Sequence, residues 1–512
     1  MTAVDQFPTK HLAAPEVRDL PEPPAKWFKQ IGPGVIAAGV GLASGEFILY
    51  PYIASQVGLV FVWAAVVGVA TQFFINMEIE RYTLATGETA LTGFSRFWRH
   101  WGLVFALMTF FANLWPGWAT SSATLVTYLW GGNANYIAIG MLIAIGAILT
   151  LAPVVYVALE RIQMVKVAAV ILLFGVGAVA AIAIALTMAP MVYTVVERVE
   201  FFKVGLVILF MVVAIVAAVT GDAWASLPDA VTGFGRIPEG LTLALVLPAL
   251  AFAGAGGGQN LVQSNWMRDK GYGMGVHIPR LASPVTGEPE AAPGTGYSFR
   301  ETEDNLGRWR GWWQVANKEQ LVSFVAITIV TIVIMSLLAY STVFGAEAEN
   351  NISFLESEGD ALMDTVGTWF GYLFWIIGAT SLFAAALGIV DYTCRLVADV
   401  LKVSYLRDND TWSESRIYFI LVWLLVVWSA IILLTIQSQP LILLIISASI
   451  GGFMMFVYSG LLILINRRSL PPAVRIGGFR TATMVWSVLL FGTASVIAIS
   501  DQWDNIKELV GL

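Results

Sequence analysis

Gly41-Leu42-Ala43-Ser44-Gly45-Glu46 and Gly254-Ala255-Gly256-Gly257-Gly258-Gln259-Asn260 interrupt two apolar runs that otherwise read as membrane-spanning helices. Unwound backbone at bilayer depth is tolerated only where it is buried in protein or lines a cavity. A pair of such interruptions in corresponding parts of a chain is the sequence mark of a transporter's substrate site.

The chain around them is 58% hydrophobic and 12% charged, with a mean hydropathy of +0.76. Soluble domains carry about a quarter charged residues. A hydrocarbon core of about 30 Å takes roughly 20 helical residues to cross. Apolar runs of that order lie near 31–57, 60–84, 103–130, 135–157, 163–188, 196–219, 240–265, 319–344, 364–392, 415–436, 440–465 and 481–500. These candidates predict an all-α polytopic membrane protein with 11–12 transmembrane segments.

Charge sets the expected topology. Arginine and lysine gather in short cytoplasmic loops, here around Arg96 and Arg99, around Arg395, Lys402 and Arg407, and from Arg467 to Arg480. The acidic stretch 347–364 reads as outside. Residues 1–30, punctuated by Pro21-Glu22-Pro23-Pro24 and without the apolar core of a signal peptide, read as a flexible cytoplasmic tail. There follow a first transmembrane part (31–265), a polar insert (266–318) with six basic residues up to Asn317 and Lys318 at its end, read as cytoplasmic, and the remaining helices (319–512). A cytoplasmic tail and a cytoplasmic insert require an even number of crossings between them, yet seven candidates lie there. The surplus coincides with an internal echo: Thr150, Pro153, Tyr156, Glu160, Arg161 and Lys166 recur 37 residues later as Thr187, Pro190, Tyr193, Glu197, Arg198 and Lys203, so that 150–186 and 187–223 read as a tandem duplication.

The net charge of −7 is spread over loops of mixed sign, and no basic cluster points to nucleic acid. A single cysteine, Cys394, excludes internal disulfides, thiolate zinc sites and iron–sulfur clusters. No cofactor is implied; the expected partners are the lipid bilayer and a small solute or divalent cation, and nothing sets the oligomeric state. The short, mildly acidic tails suit a bacterial inner membrane.

Within the first interruption Glu46 stands in a stretch with no other charge. A carboxylate at that depth faces a cavity, pairs with a cation or carries a proton, unless it lies nearer an interface or serves a helix end. The second interruption has more glycine than helix stability allows, at about 1 kcal/mol per Gly relative to Ala, and Gln259 and Asn260 add side-chain oxygens and donors. Close packing through Gly254 and Gly258 is the competing reading. Asp391, Arg395 and Asp399, spaced by four, share one helical face; they read as a local ion-pair ladder or, more sharply, as a gate or proton path. Glu78, Glu80 and Arg81 read as interfacial, and Trp115-Pro116-Gly117-Trp118 as a kink beside a pocket or as aromatic packing.

Ile31-Gly32-Pro33-Gly34, the tetrad at 43–46 and the Leu84-Ala85-Thr86-Gly87-Glu88 turn together resemble the Nramp family of divalent-metal transporters, most clearly over residues 30–95 and 240–265. The resemblance implies a LeuT-type fold with two inverted five-helix repeats, broken helices 1 and 6, and proton-coupled metal uptake. The family's first broken helix carries Asp-Pro-Gly-Asn with the acid and the amide as ligands; the matching positions here are Ala43, Ser44, Gly45 and Glu46. Its sixth helix carries Met-Pro-His; the matching positions are Gly257, Gly258 and Gln259, with Gly256 and Asn260 beside them. The family's acidic pair on the third helix falls on Asn113 and Pro116.

Soft sulfur and imidazole ligands are thus absent, since His11, His100 and His277 lie in tails or loops. Hard oxygen ligands suit magnesium, calcium or manganese, and magnesium keeps several of its waters. Glu46 and Gln259 are the candidate metal ligands. The leading expectation is a secondary transporter of a hard divalent cation, with transport of a small organic solute, or a non-transporting receptor or sensor on the same scaffold, as alternatives. No Walker motif, His-Glu-x-x-His or nucleophile-plus-base pair speaks for an enzyme.

Overall fold

The computed structural model describes residues 7–160, 192–241, 245–278, 296–345, 352–407, 409, 411–435 and 440–501. Among the described residues the regular structure is helical, apart from a two-residue parallel pairing of β1 (Glu16–Val17) with β2 (Tyr297–Ser298). The first pass is α1 (Pro33–Ser44), a π-helical turn (Gly45–Leu49) and α2 (Tyr50–Val57). After a turn at Gly58 come α3 (Trp63–Thr86), α4 (Ala90–Phe97), α5 (Trp101–Ala112), α6 (Gly117–Trp130), α7 (Ala134–Glu160) and α8 (Val192–Ala217). The sixth described pass is split into α9 (Val246–Phe252) and α10 (Gly258–Lys270). Then follow α11 (Glu303–Glu319), a second π-helical stretch (Gln320–Ala326), α12 (Ile327–Val343), α13 (Phe354–Thr365), α14 (Thr368–Ser404), α15 (Glu414–Thr435), α16 (Pro440–Arg468) and α17 (Gly478–Asp501).

Among the described residues eight helical runs are long and apolar enough to cross a membrane, the first being Pro33–Thr86. That run folds back on itself. The Tyr272 hydroxyl donates to the Gln30 carbonyl at 2.8 Å, while Gly273 lies against the Leu84 carbonyl, so the end of α3 returns to where α1 begins. The eight, this second pass, α7 and the split α9–α10 pair make eleven passes among the described residues. Six precede the 266–318 insert, and β1–β2 pairing places the N-terminal segment and the insert at one end of the bundle. The surplus candidate, 163–188, lies outside the described residues, as does much of the first repeat copy.

The first interruption is not unwound: helix continues through 41–46, and the register slips by one π-helical turn beginning at Gly45. The physical reason is packing. A Cβ at Gly41 would collide with the Gly254 carbonyl and one at Gly45 with the Phe252 carbonyl. These glycines bring two backbones together rather than loosening one. The second interruption is a true break, with Gly254 (φ 114°) and Gly257 (φ 66°) in conformations that side chains rarely adopt. Close packing operates there too, since Gly257 abuts Gly451 and Gly258 abuts Thr109.

Two outcomes test this architecture. Gly45→Ala should lower the thermal unfolding temperature in detergent by the equivalent of about 1–3 kcal/mol, the usual cost of overpacking. Gly205→Ala, where no atom lies within 4 Å of the added methyl, should stay neutral or stabilise by up to about 1 kcal/mol. Glu358, on α13 beyond the apolar spans, is fully buried with neither oxygen hydrogen-bonded, and burial raises its pKa from 4.5 to about 8. A carboxyl that folds protonated contributes its stability fully below its unfolded pKa, and that contribution is lost as pH rises through 8. Glu358→Gln should flatten the fall in melting temperature between pH 5 and 8.5.

Candidate functional site

The break between α9 and α10 frees backbone groups that must find partners at membrane depth. Gln72, in the middle of α3, supplies most of them. Its amide nitrogen donates to the carbonyls of Leu250 (3.1 Å), Ala251 (2.9 Å) and Ala253 (3.1 Å), and its oxygen accepts from the Ala255 amide at 2.7 Å. Tyr50 donates to the Ala249 carbonyl at 3.0 Å, and Tyr458 to the Gly257 carbonyl at 3.2 Å. Sequence reading missed these partners. A lone glutamine amid the apolar residues of a span was the available signal, because an amide at that depth needs a partner.

Gln259 and Asn260 open α10 and are buried. The Gln259 amide nitrogen donates to the Ala37 carbonyl of α1 at 2.6 Å. Asn260 donates to Asn76 at 2.7 Å and accepts from Tyr458 at 3.0 Å. Asn76 leads on to Gln320, and Gln320 to Gln263 at 3.1 Å. The result is a ladder of buried amides between α3, α10 and the start of the α12 pass.

Glu46 lies in the π-helical turn, fully buried, and neither of its oxygens makes a hydrogen bond. It faces Thr328 and Thr331 of α12, with Lys203 of α8 as the cation in its field. Gln259 is anchored instead beside Ala37, so the two expected ligands face different neighbours. Ala43 and Gly45 are buried in the same pass, and the Ser44 side chain lies outside the described set. Among the described residues no group of three or more His, Cys, Asp or Glu side chains is placed to hold a metal ion.

Lys203 and Glu200 are a second finding that sequence reading did not make. They pair at 3.3 Å inside the bundle, and Lys203 also donates to the Gly39 carbonyl. Gly39 has no side chain because Glu200 occupies that place. Toward the end where α1 begins, the Glu319 carboxylate accepts from the amides of Gly32 (3.2 Å) and Gly34 (2.8 Å), satisfying the N-terminus of α1 from a distant helix.

Asp391, Arg395 and Asp399 are fully buried on α14. The ladder exists, since Arg395 grips Asp391 with two bonds of 3.2 and 3.0 Å, but the cluster also reaches across helices. Arg395 binds Asp269 at 2.6 Å, Asp399 accepts from Arg268 at 2.7 Å and from Thr89 at 2.8 Å, and Tyr418 donates to Asp391 at 2.8 Å. Together these tie α10 to α14, α4 and α15. Glu78, Glu80 and Arg81 are buried within the bundle, and Arg81 pairs with Glu78 at 2.7 Å beneath Trp313. Asn113 sits in a break between α5 and α6, bonded to Thr393 (2.8 Å), Tyr392 (3.1 Å) and Ser447 (3.3 Å). Trp118 packs at 6.1 Å on Phe252, and its indole N–H has no partner.

No protein-family model matches the sequence, and no curated protein matches it. Its structure is similar to that of the Eremococcus coleocola manganese transporter. A crystal structure of one mutant of that protein superposes with a TM-score of 0.60 at 11% identity, covering 95% of this chain and 90% of the other. A second, in complex with an aromatic bis-isothiourea substituted compound, gives 0.60 and 11% over 96% and 90%. The chain therefore has that fold, a LeuT-type all-α membrane arrangement with the sixth described pass broken.

Gln72→Leu removes the donor and acceptor that close the break and leaves buried backbone groups unpaired, at about 1–3 kcal/mol each. The expected result is a clear drop in melting temperature with helix content retained by circular dichroism. An unchanged melting temperature would show that the break finds other partners.

Proposed function

We propose that this multi-pass membrane protein is a secondary active transporter with an Nramp-like scaffold, carrying a hard divalent cation of the magnesium or manganese type between α1–α2 and the α9–α10 break. One observation carries the reading: a helix broken at membrane depth, its backbone held by the Gln72 side-chain amide, packed directly on a pass that bears a buried carboxylate without a hydrogen-bond partner. The proposed substrate contacts are Ala43–Glu46 and Gly256–Asn260. Glu46 supplies a carboxylate whose oxygens have no hydrogen-bond partner, and Gln259 a carbonyl oxygen, its nitrogen being anchored on Ala37. Oxygen donors without sulfur or imidazole favour hard cations, partly hydrated. Asp391, Arg395 and Asp399, with Arg268 and Asp269, are the proposed gate at the end where the chain begins, which we assign to the cytoplasm of a bacterial inner membrane. Residues 266–318 are assigned as a cytoplasmic insert between the transmembrane parts 31–265 and 319–512.

A second reading, transport of a small organic anion, draws on a different observation. α10 begins without a side-chain cap, and the unpartnered Trp118 N–H lies beside Phe252 at the break. A helix N-terminus and an indole donor suit a carboxylate better than a cation.

Proteoliposomes loaded with a fluorescent chelator separate the readings. Uptake of manganese or magnesium by the parent, reduced about tenfold or more in Glu46→Gln, the factor that ~1.4 kcal/mol represents, is the expected result. Folded protein that moves no divalent cation rules the cation reading out, and accumulation of small carboxylic acids would then select the second. Failure of both leaves the receptor or sensor alternative.

A further inference from the structure

We infer that residues 7–30 form an autoinhibitory strap, which must let go before the site opens toward the end of the bundle where α1 begins. The inference rests on the transport reading above. Its basis is the way this segment, composed like a flexible tail, is held along its length by side chains of the body.

There are three anchor points. At the first, the fully buried Arg96 of α4 donates to the carbonyls of Pro8 (3.2 Å) and Ala13 (3.0 Å), and the Phe7 ring lies 4.6 Å from its guanidinium. Glu88 fixes Arg96 from below and also accepts from the Gly296 amide at 2.8 Å, which leads into the second anchor. There β1 runs parallel to β2, with Glu16 donating to Gly296 (3.1 Å) and Arg18 to Ser298 (2.9 Å). At the third, α11 takes hold. Asn305 accepts from the Leu20 amide and donates to Asp19, both at 3.0 Å, while Arg308 and Trp312 each donate at 2.8 Å, to the carbonyls of Leu20 and Pro21.

The body therefore reads the strap largely through its backbone amides and carbonyls, with Phe7, Leu12 and Leu20 as buried plugs among mostly exposed neighbours. An extended segment bound by its backbone at a few plugs can peel away one anchor at a time. Opening has to pass through it. The strap runs directly into α1, whose first residues are tied to Tyr272 through Gln30 and to Glu319 through Gly32 and Gly34. For α1 and α10 to part at this end, α1 must swing away from Glu319 and Tyr272, and a strap fastened to α4 and α11 resists that swing.

The test needs no substrate, so its failure and the failure of the transport reading are told apart. In the full chain with Cys394→Ala, Ala38→Cys reports on the buried face of α1 through its rate of labelling by a membrane-impermeant maleimide. Adding Leu20→Asp, alone or with Arg308→Ala, should speed tryptic cleavage after Arg18 and raise labelling at position 38 about tenfold by shifting the closed–open equilibrium; Leu20→Met should leave both at the parental rate. Cleavage that speeds up while labelling does not, or cleavage that fails to change in the double variant, overturns the inference. A monodisperse gel-filtration profile for each variant separates these outcomes from misfolding.

Discussion

The structure depends on how closely one helix lets others approach it. Five glycines along the first pass each mark a place where a side chain is excluded by something polar. At Gly32 the occupant is Glu197, at Gly34 Glu319 with Ser323, and at Gly39 Glu200. At Gly41 and Gly45 it is the carbonyls of Gly254 and Phe252. Half of this pass is thus seated on carboxylates from α8 and α11, and the other half on the broken backbone of the sixth pass. Buried charge and freed backbone are both costly in a membrane unless they are paired or hydrogen-bonded. Concentrating them on one glycine-bearing helix satisfies both with a single element.

That arrangement links the site to its closure. The amide ladder from Tyr458 through Asn260, Asn76 and Gln320 starts at the break and ends beside Glu319, which caps α1. The Arg268–Asp399 and Arg395–Asp269 pairs fasten the far end of α10 to α14. Breaking a buried pair by moving one partner leaves an uncompensated charge, so these contacts move together or not at all.

The helical passes and the location of the break were legible because each is a local property. Twenty apolar residues span a membrane whatever surrounds them, and Gly254 to Gly258 disfavour helix in any context. The reading of Gly41 to Gly45 as unwound failed on the same evidence, since glycine composition does not distinguish freedom from proximity. Arg268 and Asp269 were read as part of a polar insert because α10 continues past its apolar run, and their partners lie well over a hundred positions away. The strap was read as a tail because its own side chains do little of the binding; Arg96, Asn305, Arg308 and Trp312 do it from elsewhere.

Sequence alone thus determined that this is an all-α membrane protein, where a helix must break and that Glu46 stands without a local counter-charge, because hydropathy, glycine content and charge are carried by neighbouring residues. Only the tertiary structure decided that Gln72 closes the break, that Glu46 and Gln259 face different partners, that Glu200 and Lys203 belong to the interior, and that the first thirty residues include a fastened segment. Each of those is a contact between residues far apart in the chain, and hydrogen bonds or ion pairs of that kind are set by which helices pack together, a property that no window of sequence contains.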